Sequence, residues 1–186
     1  MQILINIPEN QLPEGDEFSQ IDCERIKRNF GLQQADAVSL VNIGPGADWI
    51  VLLTVFNIIW SVFQLPGNIK DSLDGWQWLV NLMKTKIRKK ELVSLDIDAA
   101  GMLAIDYLAD KYGDDSSFNL IDAHSFNIID INGMVHNREG SLEANPHNYY
   151  VFTFDIAGKV IVLSVRSTGK IRILESFEVW PYGISN

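Results

Sequence analysis

Three histidines, His124, His136 and His147, stand in one stretch of the chain together with Asp122, Asp130 and Glu139. Imidazole and carboxylate are common metal ligands and common carriers of catalytic protons, so this stretch is where a metal or acid–base site would be sought. A hydrolase using residues 122–147 is the activity it would support. The spacing points elsewhere. No known ligand pattern is present, Asp122-x-His124 arises readily by chance, and His136 and His147 fall in polar loop sequence. Solvent-exposed or turn histidines are the expected reading, with no metal stabilising the fold.

Ile43-Gly-Pro-Gly-Ala-Asp48 links a strand candidate to an apolar segment, as phosphate-binding loops do. The full glycine pattern and its Lys-Ser/Thr are missing, and Asp48 would set a negative charge where an anion should rest. A turn in which Asp48 caps a helix starting at Trp49 is expected instead. Cys23 lies between Asp22 and Glu24, anions that disfavour a thiolate, so an inert thiol is expected. Ser94, Ser125 and Ser164 occupy no Gly-x-Ser-x-Gly elbow. No residue is thereby assigned a catalytic, cofactor-binding or metal-binding role.

The elements that would position these groups follow from composition and periodicity. At 186 residues, 47% hydrophobic and 21% charged, the chain can bury a substantial core. Its formal charge of −9 disfavours nucleic acid, whose binding depends on Lys and Arg, and suits a basic protein partner. A single cysteine forbids an intrachain disulfide, and the N-terminus reads as a strand rather than a signal peptide, so a cytoplasmic location is expected.

Residues 2–7 read as a strand, Phe18 to Phe30 as an amphipathic helix closed by Gly31, and 37–43 as a second strand. From Trp49 to Ile69 there is no charged residue. This predicts a helix over 49–65, with Thr54, Asn57, Ser61 and Gln64 as a narrow polar stripe and Leu52, Leu53, Phe56, Trp60 and Phe63 buried. Ile69, Leu73, Trp76, Val80, Met83 and Ile87 then form the apolar seam of a second helix. The intervening Pro66-Gly67-Asn68 makes the two an antiparallel hairpin. Asp96 or Asp98 caps a further helix carrying Ile105, Leu108 and Tyr112 and ending at Gly113. Residues 118–131 read as a strand followed by an Asn132-Gly133 turn, and 149–156, 159–166 and 170–179 as an antiparallel meander.

The expected architecture is therefore a single α+β domain over 1–186: an N-terminal strand-helix-strand, a central antiparallel helical hairpin plus one further helix, and a C-terminal antiparallel β-meander. The expected function is a non-enzymatic protein-binding protein, a small acidic immunity or inhibitor type that neutralises a basic toxin or enzyme. The alternatives are a membrane-associated effector inserting the helix 49–65 and the hydrolase of residues 122–147.

Overall fold

The computed structural model describes residues 1–6, 24, 25, 27, 28, 37–42, 49–54, 69–113, 118–127 and 147–178. The fold is α+β. Two four-stranded sheets, every pairing antiparallel, pack with two long helices among these residues. The first sheet contains β1 (Gln2–Asn6), β2 (Ala37–Asn42), β3 (Trp49–Thr54) and β4 (Leu92–Leu95), in the order β2-β3-β1-β4. Glu24, Arg25, Lys27 and Arg28, between β1 and β2, are helical, so the opening is strand, helix, strand as the sequence predicts.

Trp49 opens a strand, not a helix. β3 lies inside the sheet, paired with β1 from Gln2↔Thr54 to Asn6↔Ile50 and with β2 from Ala37↔Thr54 to Asn42↔Trp49. The expected helix over 49–65 is therefore overturned at its first six residues. With it go the helix cap expected of Asp48 and the helical hairpin as drawn, while residues 55–68 lie outside those described. The physical reason is that an uncharged run rich in Ile, Val and Leu satisfies a strand flanked on both edges as well as it satisfies a buried helix. Neither leaves an apolar–polar period to read.

α1 (Ile69–Arg88) follows its seam: Val80 and Met83 are buried and Trp76 and Ile87 partly so, joined by Leu79, while Gln77, Asn81, Lys84 and Arg88 face solvent. α2 (Ile97–Tyr112) is the helix with little exposed surface. Ala99 through Asp106, Leu108 and Ala109 are buried, because its Ala and Gly residues let neighbouring elements approach on several sides. Asp96 caps it, accepting a hydrogen bond from the Ala99 N–H at 2.9 Å, and Gly113 ends it at φ 94°.

The second sheet runs β5-β6-β7-β8: Phe118–Asn127, Asn148–Ile156, Lys159–Arg166 and Ile171–Glu178. On one face Tyr150, Phe152, Phe154, Ile161, Leu163 and Val165 are buried, in a core that also takes Ile3, Ile5, Leu95 and both helices. The two outer strands each carry a bulge, at Leu120/Asp122 and opposite Val162/Leu163, and the extra residues are Ile121 and Leu174. The bulges sit at nearly the same level across the sheet, which raises its local twist there.

The β7–β8 turn depends on Gly169, at φ 85°, whose missing Cβ would collide with the Ile87 side chain. Gly169→Ala is expected to destabilise the protein by about 1–3 kcal/mol, because strained backbone and displaced Ile87 add. Urea denaturation checks this. Gly158, at φ 84° with open space around it, gives the matched Gly158→Ala, which carries the backbone term alone.

Candidate functional site

Of the residues singled out for chemistry, the structure brings two together. His124 Nε2 lies 2.7 Å from Asp122 Oδ2, both exposed on the edge strand β5. An exposed pair of this kind contributes little and orients no third group. His147 is also exposed, one residue before the start of β6. Asn148 pairs with Asn127 and Val151 with His124, so the two histidines sit about four strand residues apart, roughly 13 Å. Among the described residues no group of three His, Cys, Asp or Glu could hold a metal ion. His136, Asp130, Glu139, Cys23 and the 43–48 turn lie outside the described residues. Ser125 is exposed on β5, and Ser164 is buried with its hydroxyl 3.5 Å from the Arg172 carbonyl.

The buried polar chemistry is concentrated elsewhere, where β4 meets the start of β1 and the β7–β8 turn. The Leu95 N–H donates to the Ser167 carbonyl at 2.8 Å, and the Tyr150 hydroxyl donates to the Leu95 carbonyl at 2.7 Å. Asn148 Nδ2 donates to that hydroxyl at 3.3 Å, and its carbonyl accepts from the Ser167 N–H at 3.0 Å. Asp96, 1% exposed, spends one carboxylate oxygen on the Ala99 N–H and the other on the Gln2 N–H, beside the Met1 ammonium at 3.8 Å. The buried side-chain atoms without a protein hydrogen bond here are Gln2 Oε1, Ser94 Oγ, Asn148 Oδ1 and Ser167 Oγ, all on residues adjoining this junction. Polar atoms so placed are where ordered water is held.

Burial pushes the Asp96 carboxyl up to about 6; the Ala99 N–H and the Met1 ammonium oppose this, and Asp98 adds to it. Burial likewise pushes the Tyr150 hydroxyl up to about 12. The junction thus holds one titrating proton near neutral pH, on a carboxyl that links β1, β4 and α2. Nothing in the sequence but the Asp96 cap announced it, because the rest of the junction comes from residues far apart in the chain.

The sign of the linkage follows from the direction of the shift. A carboxyl whose pKa is higher in the folded than in the unfolded chain favours folding most when protonated. Asp96 therefore contributes fully below about pH 4, and its contribution falls, by on the order of 3 kcal/mol, as pH rises from about 4 through about 6. The stability difference between the wild type and Asp96→Ala is expected to shrink over this interval. Denaturant titrations at a series of pH values measure it, and a difference that grows with pH would reverse the assignment.

A third polar group is the ion-pair cluster between the helices. Lys84 Nζ lies 2.6 Å from Asp106 and 3.2 Å from Asp110, while Lys86 Nζ lies 2.6 Å from Glu91. Burial would lower the Lys84 ammonium, but the hydrogen bonds and charges of Asp106 and Asp110 outweigh it, and the net shift is upward.

Among the described residues, the large exposed apolar side chains lie on the second sheet. Ile121 and Phe126 on β5, and Leu174 and Phe177 on β8, are each about half exposed, and Asp122, Glu175 and Glu178 stand on the same strands. Comparison with protein-family models, with curated proteins and with solved structures finds no match. What the chain presents is an α+β protein of two antiparallel sheets around a buried helix, with a sealed polar junction and two apolar, acid-bearing strand edges. No helix among the described residues is long and apolar enough to cross a membrane.

Proposed function

We propose that the chain is a non-enzymatic protein-binding protein of the immunity or inhibitor type, acting in the cytoplasm as one domain on a basic protein partner. The observation that supports this most is the distribution of exposed apolar side chains. Ile121, Phe126, Leu174 and Phe177 all lie on the two strands that end the second sheet. Large apolar groups on sheet edges mark docking surfaces, since an incoming chain removes them from water and can extend the backbone ladder. Asp122, Glu175 and Glu178, within a chain of net charge −9, favour a cationic partner through steering and register. The like-charged acids on these edges also disfavour pairing between copies, which leaves the surface to a different chain.

The test is affinity capture from cells of the source, comparing the wild-type chain with Phe126→Asp/Phe177→Asp. A basic protein retained by the wild type, released by salt and lost with the variant supports the reading. The same captured proteins with both chains, or an acidic one, would refute it.

A further inference from the structure

Opposite charge gathers at one end of this acidic molecule. Arg88, Lys89 and Lys90 are consecutive and exposed where α1 ends. The Ile87 side chain packs against Gly169, which brings the neighbouring exposed Lys170 to the same end. The nearby Lys84 and Lys86 are neutralised by Asp106, Asp110 and Glu91. The four cations at the tip form no ion pair with a described residue, whereas the remaining eleven of the chain's 15 Lys and Arg face 24 Asp and Glu.

A second observation concerns the backbone. The helix ends in paired reverse bonds, Glu91 N–H to the Lys86 carbonyl at 2.9 Å and Lys90 N–H to the Ile87 carbonyl at 3.0 Å. The residue between these turns takes the left-handed conformation and is ordinarily glycine. Here it is Lys90, at φ 59°. Attraction to the helix dipole accounts for Lys86 and Arg88 in the last turn, and it fades beyond that turn. Lys90 thus places a cation at a position that glycine would hold without strain.

We propose that this tip, formed by Arg88, Lys89, Lys90 and Lys170, docks a short acidic segment of a protein partner. A short run of Asp or Glu meets only the tip. A membrane plane or a long nucleic acid would also face the acid-rich remainder. The surface is separate from the edges of the second sheet and does not depend on the role given to them.

The experiment uses the full chain and a fluorescein-labelled hexaglutamate peptide, read by anisotropy at about 50 mM and about 200 mM salt. Binding is expected at the lower salt, weaker at the higher. It should fall about tenfold in Lys89→Gln/Lys170→Gln and remain unchanged in Phe126→Asp/Phe177→Asp. Lys90→Gly should melt at or above the wild-type temperature and yet bind the peptide more weakly, separating the charge from the fold. Peptide binding that is absent, or equal in Lys90→Gly and wild type, would overturn the proposal. So would tighter binding to phosphatidylserine-containing vesicles or to a single-stranded oligonucleotide.

Discussion

A proline at Val162 is expected to destabilise the protein by about 3 kcal/mol or more, a large share of the roughly 5–15 kcal/mol that holds a typical domain together. Val162 lies on β7, which pairs with β6 on one side and β8 on the other, opposite Thr153 and Glu175. Whichever way its N–H points, it faces a neighbouring strand, so the proline ring removes a donor and crowds a ladder with no free edge. Ser176→Pro is the matched comparison. Ser176 is exposed on the terminal strand β8, and its N–H reaches the Glu175 carboxylate at 3.3 Å. Guanidinium denaturation of both variants should show a large loss for Val162→Pro and a small one for Ser176→Pro. Equal losses would mean that β7 is not interior.

Truncating Phe152 to alanine is expected to cost about 3–5 kcal/mol. The ring is fully buried, its centroid 6.2 Å from that of Phe154, and it belongs to the cluster that joins the second sheet to α2. Its removal loses both the transfer energy of the ring and the contacts of the atoms left around the void. The rigid ladders on either side of β6 limit collapse into that space, so a value near the upper end is expected. The midpoint of urea denaturation should fall with an unchanged slope. A loss below about 1 kcal/mol would place Phe152 outside the core.

Both expectations rest on the part of the chain where sequence and structure agree most closely. From Tyr149 onward, inward and outward residues alternate over β6, Gly158 and Gly169 supply the positive φ of two turns, and neighbours in sequence become neighbours in the sheet. Local rules suffice there. They suffice also for α1, whose seam shows one buried face, and for the ends of α2, where Asp96 and Gly113 act within a single turn.

The site was legible only in fragments. Asp122 and His124 drew notice by residue type, yet their contact is exposed and ordinary. Gln2, Ser94, Asn148, Tyr150 and Ser167 drew little, being polar residues without local pattern, and tertiary contacts gather them around Leu95 and Asp96. The four cations of the tip divide the same way: three are a visible run, and Lys170 joins them through the packing of Gly169 on Ile87.

By itself, the sequence determined the α+β class, the C-terminal meander, the amphipathic helix α1 and the caps of α2, because each leaves a period or a turn signal within a few residues. Tertiary structure decided which apolar segment is the buried helix. Trp49–Thr54 became a strand because β1 and β2 take up its backbone hydrogen bonds on both sides, and α2 became the enclosed helix because Ala and Gly admit its neighbours. An apolar run without a polar period shows no contrast between faces in its sequence, so its conformation is set by partners distant in the chain rather than by its own pattern.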